Sequence, residues 1–303
     1  MLQYRQERRG PLLYYGLLSL SVVMFGVQFL MNNRYQKHAG SGMGATFQFA
    51  FFGNAVGLVC LLVINKFAFG FTPFTLVMAV LTALNSILYT FCSLKAFEHI
   101  NLSLYSIFAM LGGMALPFLF GIFFYSEPLT VGNVLCFVLI TVALALTVKR
   151  GEKKGGGIYY AGVFVLNGMS GVLSKIFTSA DFEKCNAAVY SIWVSLATVV
   201  ISGVILLCML KSLKKPTAPA LGFASGCGAI SRVANYLLVL ALAVLPATVQ
   251  YPFVTGGTMI VSTAISFLCH QKPSKRELLS VLLSFLGVLC LVLIPEIVLG
   301  KIS

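Results

Sequence analysis

The chain has 303 residues and a formal net charge of +13, yet only 10% of its residues are charged and 59% are hydrophobic. Soluble domains carry about 25% charged residues, so this composition, with a mean hydropathy of +0.95, excludes an ordinary water-soluble protein. Most Lys and Arg residues lie between apolar runs, where membrane proteins place them beside lipid headgroups, so the basic charge does not indicate nucleic-acid binding.

Ten apolar runs follow one another along the chain, and each is roughly 20 residues long, the length that a helix needs to cross the hydrocarbon core. They lack the alternation of barrel strands, and lipid leaves no water for unpaired backbone groups, so we predict helices. The predicted spans are 11–31, 44–65, 74–97, 102–125, 130–148, 158–177, 188–210, 218–243, 247–269 and 278–299. The predicted fold class is an all-α integral membrane protein with about ten transmembrane helices.

A polar segment at 149–157 interrupts the apolar runs near the middle of the chain. Its Lys, Arg and Gly residues are typical of a flexible linker, and five predicted spans lie on each side of it. We therefore divide the chain into a first five-helix repeat at 1–148, a basic Gly-rich linker at 149–157 and a second five-helix repeat at 158–303.

The two halves also match each other in sequence at one ungapped offset. That offset brings Lys66 onto Lys211 and Pro128 onto Pro273, and it aligns the predicted spans and loops as well. Because each half holds an odd number of spans, the second half must enter the membrane from the opposite side. The sequence therefore predicts inverted repeats, an architecture in which secondary transporters bind substrate near the bilayer midplane.

Local motifs around the third to fifth spans indicate a family. The stretch 96–103 has the pattern of a small-residue turn, Pro117 lies in the fourth span, and Ser-Glu-Pro-Leu-Thr at 126–130 forms a short acidic loop. Together with Gly26 in the first span, this pattern resembles the EamA type of the drug/metabolite transporter superfamily. The resemblance covers nearly the whole chain and implies ten spans in two five-helix halves.

The second half repeats this pattern at 241–248 and 271–274, but Lys272 replaces the acid of the loop and Ser262 replaces the proline of the span. The resemblance implies a transporter, and since the superfamily moves amino acids, sugars, nucleotide-linked compounds and drugs, it leaves the substrate open. All eight acids lie in loops or at helix ends. This placement disfavours proton-coupled export of lipophilic cations, which the related small multidrug exporters perform with a first-span carboxylate.

Two cations lie inside predicted spans. Arg232 is about midway along the eighth span, where a charged side chain costs several kcal/mol unless it faces protein or a wet cavity. Its functional interpretation is a fixed cation for a substrate carboxylate or phosphate, and the alternative is an arginine satisfied by backbone carbonyls. Lys175 lies late in the sixth span and is a second candidate for the same role, but we predict that it extends to the membrane interface instead.

Polar and aromatic residues mark the rest of a candidate substrate site. Arg232, Asn235 and Tyr236 are spaced i, i+3 and i+4, so they share one face of the eighth span. Further candidates lie on spans that line the cavity in the resembling family, and they are Gln28, Asn85, Tyr89, Tyr105, Gln250 and Tyr251. The alternative for each residue is an interhelical hydrogen bond, which stabilises helix packing in membranes by about 0.6 kcal/mol.

These patterns predict a secondary transporter of a small metabolite, with a carboxylate or phosphate group favoured, and no enzyme activity. A translocase of lipid-linked headgroups with the same fold is an alternative. An integral membrane enzyme is a weaker one, because the sequence has no constellation of acids, His or Cys at a membrane face. The expected partners are the small-molecule substrate and the lipid bilayer of the plasma (inner) membrane, without nucleic acid, cofactor or metal. We expect a monomer or a homodimer, since one chain contains both repeats.

Overall fold

The computed structural model describes residues 2–40, 42–99, 102–146, 157–209, 213, 215–268, 275–294 and 298–300. Within them the chain forms ten α-helices and a two-stranded antiparallel sheet. The helices are α1 (Leu2–Ala39), α2 (Met43–Ile64), α3 (Pro73–His99), α4 (Leu102–Tyr125), α5 (Val131–Leu146), α6 (Gly157–Ser179), α7 (Ala187–Cys208), α8 (Ala218–Leu242), α9 (Ala247–Leu268) and α10 (Lys275–Leu293). The strands are β1 (Leu129–Thr130) and β2 (Val298–Gly300). The all-α fold class is confirmed.

Six of the described helices are long and apolar enough to cross a membrane, namely α1 from Leu13, α2, α3 as far as Ser93, α6, α7 and α8. Between 24% and 33% of the residues in their apolar windows are buried within the protein, and large apolar side chains such as Val59, Val77 and Val200 are exposed on their outer faces. An outer surface this rich in Val and Leu is not stable in water, and a lipid environment accounts for it. The chain is a multi-pass membrane protein.

The outer face of α2 illustrates this arrangement. Val56, Val59 and Val63 lie three or four residues apart on one face of the helix, and they are 37%, 57% and 58% exposed. Gly53 and Gly57 on α2 are buried and face other helices. The helix thus presents its branched apolar side chains outward and its smallest residues inward, which suits a helix with lipid on one side and close protein packing on the other.

Two helix ends differ from the predicted spans. α1 continues beyond its apolar run to Ala39, where Gly40 ends it with a φ of +76°, a conformation that glycine adopts without strain. The predicted last span at 278–299 is too long, because α10 ends at Leu293. The residues beyond it include β2, which pairs with β1.

The most extensive helix packing joins one of the first five helices to one of the last five. α1 packs against α8 and α9, while α6 packs against α3 and α4. α2 packs against α7 and α8, α3 also contacts α7, and α5 packs against α10. The two groups of helices therefore share one interior. The predicted linker at 149–157 between them lies outside the described residues, apart from Gly157.

Glycines permit the closest of these crossings. α2 approaches α8 at Gly53 and Gly228, where a Cβ atom on Gly228 would overlap the Gly53 backbone. α4 approaches α6 at Gly112, where a Cβ atom would overlap the carbonyl group of Phe164. Lipid gives no hydrophobic drive between helices, so membrane helices gain stability from close van der Waals contact between small residues.

Candidate substrate-binding cavity

A cavity of about 480 Å³ lies between the two groups of helices. Its walls come from α1, α2, α3, α4, α6, α7, α8 and α9. The polar residues of the wall carry hydroxyl or amide groups, except for Arg232, the one charged residue among those described. Small-molecule sites in proteins measure about 300–1,000 Å³, so the cavity has the size of a metabolite site. The interior cavity thus presents polar groups among apolar ones, whereas the outer faces of the helices are apolar.

Arg232 lies on α8 with the stem of its side chain against α2. A Cβ atom on Gly57 would come within 2.5 Å of Arg232 Cγ, so the glycine makes room for the arginine. Within the described part of the chain, the guanidinium group makes no hydrogen bond and no ion pair. Arginine keeps its charge in proteins and presents five N–H donors, so this group is available to an anion in the cavity.

The spacing of residues along α2 and α8 explains how Arg232 is placed. Gly53 and Gly57 are one helical turn apart on α2, and Gly228 and Arg232 are one turn apart on α8. When Gly53 packs on Gly228, the next turn brings Gly57 beside Arg232. The G-x-x-x-G spacing at 53–57 is a recognised signal for close helix crossing, and our reading of the sequence missed it.

Two amide side chains of the wall have oxygen atoms without a partner. Gln28 Oε1 on α1 and Asn54 Oδ1 on α2 make no hydrogen bond to any described residue. Asn54 Nδ2 donates to Ala50 O at 2.6 Å, which fixes the orientation of that amide because a carbonyl oxygen only accepts. Cys227 Sγ lies 3.7 Å from Gln28 O, so Gln28 is beside the part of α8 that contains Gly228. Both oxygens are acceptors that a ligand donor can satisfy.

Hydroxyl groups of the wall on α3, α6 and α7 donate their protons to carbonyl oxygens one turn earlier in their own helices. Ser86 Oγ donates to Thr82 O at 2.9 Å, and Ser174 Oγ donates to Ser170 O at 3.0 Å. The same arrangement is found at Thr90, Ser191 and Thr198. Because their protons are used in this way, these hydroxyl oxygens keep lone pairs that can accept hydrogen bonds. The Ser174 oxygen already lies within reach of the Tyr190 hydroxyl, so the other four are the acceptors left for a cavity occupant.

Tyrosines join helices of both groups around the cavity. Tyr190 Oη on α7 lies 2.8 Å from Thr82 Oγ1 on α3. Thr82 already donates to Met78 O at 2.8 Å, so Tyr190 is the donor in this pair. Tyr251 Oη on α9 donates to Gly171 O on α6 at 3.0 Å. These bonds hold α3 to α7 and α6 to α9.

The predicted substrate-binding residues fall into two groups in the structure. Those that line the cavity are Arg232, Asn235, Gln28, Tyr89 and Tyr251. Those that are absent from its described lining are Tyr236, Asn85 and Gln250. The side chain of Tyr105 lies outside the part of the chain that the structure describes. Adjacent residues on α8 are thus separated, since Asn235 lines the wall and Tyr236 does not.

Asn85 and Gln250 make interhelical hydrogen bonds instead, which is the alternative that the sequence left open. Asn85 Nδ2 on α3 donates to Leu166 O at 2.9 Å and to Ser170 Oγ at 2.8 Å, both on α6. Gln250 Nε2 on α9 donates to Leu238 O on α8 at 2.8 Å. These two side chains hold the helices that form the wall.

A buried ion pair lies outside the described lining of the cavity. Lys175 Nζ on α6 is 2.5 Å from Glu127 Oε1, which belongs to the turn between α4 and β1. The same carboxylate accepts hydrogen bonds from the backbone nitrogens of Ala247 at 3.0 Å and Thr248 at 2.9 Å, at the start of α9. Lys175 Nζ also lies 5.2 Å from the centre of the Tyr125 ring. The prediction that Lys175 extends to the membrane interface is wrong, because a carboxylate from the other group of helices reaches it.

Several wall residues were missed at the sequence level. Asn54 carried the same signal as Gln28, an amide inside an apolar run, and that signal could have identified it. Ser86, Ser231 and Thr255 were recognisable as polar groups on the third, eighth and ninth spans. The other serines and threonines of the wall gave no such signal, because a hydroxyl bonded to its own helix is common in any membrane helix. The rotation of each helix about its axis decides which of them face the cavity, and contacts between distant helices set that rotation.

No protein-family model matches the chain, and no curated protein matches it in sequence. Its fold is similar to that of a protein with a known crystal structure, with a TM-score of 0.72 over 92% of this chain and 96% of the other. The two sequences are 15% identical. At this identity the similarity establishes a shared fold and carries no statement about activity.

Proposed function

We propose that the protein is a secondary transporter of the EamA type in the drug/metabolite transporter superfamily, and that it carries a small solute across the plasma membrane. The observation that carries this proposal is the polar cavity between two groups of helices whose outer surfaces are apolar. A path for a polar solute through a membrane protein requires this inside-out distribution of polarity. The walls of the cavity come from helices of both groups, as expected for a substrate site at a repeat interface.

The proposed architecture is ten transmembrane helices in two inverted repeats, and the helix contacts support it. In such an architecture each helix of the first half has a counterpart five numbers later, so that α1 corresponds to α6, α3 to α8 and α4 to α9. Exchanging counterparts turns the pair α1–α8 into α6–α3 and the pair α1–α9 into α6–α4, and all four pairs are packed. The pair α2–α8 becomes α7–α3, which is packed as well, while α2–α7 and α5–α10 become themselves. A two-fold axis relating two five-helix halves generates this set of exchanges.

The charge of the cavity favours an anionic solute. Arg232 brings a permanent positive charge into the interior of a membrane protein, where it costs several kcal/mol without a partner. No acid among the described residues pairs with it. A substrate carboxylate or phosphate would satisfy the guanidinium group with two parallel hydrogen bonds, which is the geometry that arginine favours.

Uptake into proteoliposomes tests the proposal without knowledge of the substrate. Vesicles with and without the purified protein are incubated in a defined mixture of organic acids, amino acids, sugars and sugar phosphates, and mass spectrometry then measures the contents of the washed vesicles. A transporter raises the internal concentration of at least one solute, chemically unchanged, above that in protein-free vesicles. Equal contents in both kinds of vesicle would contradict the proposal, and a chemically altered solute would favour the enzyme alternative.

A further inference from the structure

We infer that the transported solute is a small organic anion that carries several hydroxyl groups. Its anionic group binds Arg232, and its hydroxyl groups donate to the amide and hydroxyl oxygens on the remaining wall of the cavity. This inference rests on the proposed transport function, because it names the substrate class for the same cavity. Three observations carry it: the charge of the wall, its acceptor oxygens and the offset between Asn54 and Arg232 along the packed helices.

The charge of the wall selects the net charge of the solute. Arg232 is the one charged residue in the described lining, and no Asp or Glu there offsets it. In an interior of low dielectric constant, the interaction of this charge with a solute charge is much stronger than in water. A cation in the cavity would be repelled by Arg232 and would find no carboxylate partner. An anion neutralises the wall, so the solute carries a net negative charge.

The hydrogen-bonding character of the wall selects the rest of the solute. Ser86, Thr90 and Ser191 donate their protons to their own helices, so their oxygens are left as acceptors. Gln28 Oε1 and Asn54 Oδ1 are acceptors without any partner in the described part of the chain. These five side chains place acceptor oxygens on α1, α2, α3 and α7, and a ligand that carries hydrogen-bond donors complements them. Hydroxyl groups supply donors without adding positive charge, whereas an ammonium group would add a charge that this wall does not neutralise.

The contacts between helices also give the spacing of the two groups. Asn54 follows Gly53, which packs on Gly228, and Arg232 lies one turn further along α8. One helical turn advances about 5.4 Å along the axis, so the backbone positions that carry Asn54 and Arg232 are offset by roughly one turn. A solute with its anionic group at one end of a short carbon chain and hydroxyl groups further along spans that distance. A simple inorganic anion does not.

Ligand-induced stabilisation of the purified protein tests this inference with four matched six-carbon probes. Sodium gluconate has a carboxylate and hydroxyl groups, glucose 6-phosphate has a phosphate and hydroxyl groups, sodium hexanoate has only the carboxylate, and sorbitol has only the hydroxyl groups. A ligand that binds the folded state alone raises the apparent melting temperature by mass action. We expect gluconate, glucose 6-phosphate or both to bind at least about tenfold more tightly than hexanoate or sorbitol. The relative affinity of the first two identifies the anionic group.

Substitutions of cavity residues test whether the probes bind in the cavity. Arg232→Gln should reduce binding of the hydroxylated anion to the level of sorbitol, while Arg232→Lys, which keeps the charge, should retain part of it. Asn54→Leu should weaken binding of the hydroxylated anion and leave hexanoate unchanged. Arg276→Gln is the matched control, because Arg276 is exposed at the start of α10 and does not line the cavity.

Two results would overturn the inference. The first is hexanoate or sorbitol binding as tightly as the hydroxylated anions, and the second is Arg232→Gln leaving their binding unchanged. The uptake experiment separates this failure from failure of the transport proposal. If the vesicles accumulate a cationic amino acid or an uncharged sugar from the mixture, the substrate class is wrong and the transporter stands. If the vesicles accumulate nothing, the transport function itself is wrong, and the inference that rests on it falls too.

Discussion

Arg232 and Lys175 are both cations within apolar helices of the second half of the chain, but only Lys175 has an acidic partner among the described residues. Lys175 is buried against Glu127 at 2.5 Å and lies beside an aromatic ring. Arg232 lines a polar cavity and has no acid partner among the described residues. A charge in a membrane helix is therefore structural where the fold supplies its counterion. Where the fold does not, the counterion must come from a ligand.

This comparison predicts an order of effects on stability. A buried ion pair is costly to break on one side only, because the remaining charge is left in a medium of low dielectric constant. A buried cation without a partner stabilises nothing, so its removal should not destabilise the fold. The predictions below test this difference, beginning with the variant that should lose the most stability.

Lys175→Met should lose the most stability. It leaves the Glu127 carboxylate buried without its cation, and breaking one side of a buried pair costs about 3–5 kcal/mol. Chemical unfolding in detergent measures this loss. Lys175→Met combined with Glu127→Gln is the control, since it removes both charges and keeps an acceptor for the start of α9, so it should recover part of the loss. A wild-type unfolding midpoint for Lys175→Met alone would contradict the structural role of the pair.

Gly228→Ala should cause the second-largest loss of stability. Its Cβ atom would overlap the backbone of Gly53, so α2 and α8 must separate at the crossing that places Arg232. Forced overpacking of this kind costs about 1–3 kcal/mol. Gly222→Ala on the same helix is the matched control, because a Cβ atom there has no neighbour within 4 Å. Equal stability of the two variants in the same unfolding experiment would show that the crossing tolerates a larger separation.

Asn85→Leu should have a small effect. Its side chain bonds α3 to α6, and interhelical bonds of this kind contribute about 0.6 kcal/mol on average. The affinity for a bound solute should remain close to that of the wild type, because Asn85 is absent from the described cavity lining. The same thermal-shift titration measures both quantities. Loss of solute binding at unchanged stability would instead place Asn85 in the binding site.

Arg232→Gln should have the smallest effect on the unliganded protein. Since the guanidinium group has no partner within the described residues, its replacement removes a desolvated charge and breaks no bond. The unfolding midpoint without ligand should therefore equal that of the wild type or exceed it. A loss as large as that of Lys175→Met would mean that Arg232 holds the fold together, and the contrast between the two cations would disappear.

The helices could be predicted from sequence because lipid imposes a strict rule: a span must be apolar and about 20 residues long. α8 illustrates this, since the predicted span at 218–243 and the observed helix Ala218–Leu242 differ by one residue at one end. The end of the chain could not be predicted in this way. The apolar residues after Leu293 include β2, whose strand partner β1 lies more than a hundred residues earlier in the chain.

The candidate site was only partly predictable for a related reason. Intramembrane polarity marked Arg232 and Gln28, and both line the cavity. Polarity alone does not state which way a side chain faces, so Asn85 was chosen with them although it bonds a neighbouring helix. The counterion of Lys175 was not foreseen because Glu127 lies in a turn of the other half. Packing between distant helices decides these outcomes, and a local pattern does not contain it.

Solute uptake by Arg232→Gln, compared with Arg276→Gln, tests directly whether the transported solute binds Arg232 in the cavity. Both variants remove one arginine, but only Arg232 lines the cavity. Proteoliposomes containing equal amounts of each folded variant are given the solute that the wild-type protein accumulates, and initial uptake rates are measured. We expect Arg276→Gln to transport at the wild-type rate and Arg232→Gln to lose at least about nine-tenths of that rate, because the solute anion loses its cationic partner. A tenfold loss corresponds to about 1.4 kcal/mol of binding free energy. Equal rates for the two variants would show that the solute does not pass by Arg232, and the proposed role of the cavity would be wrong.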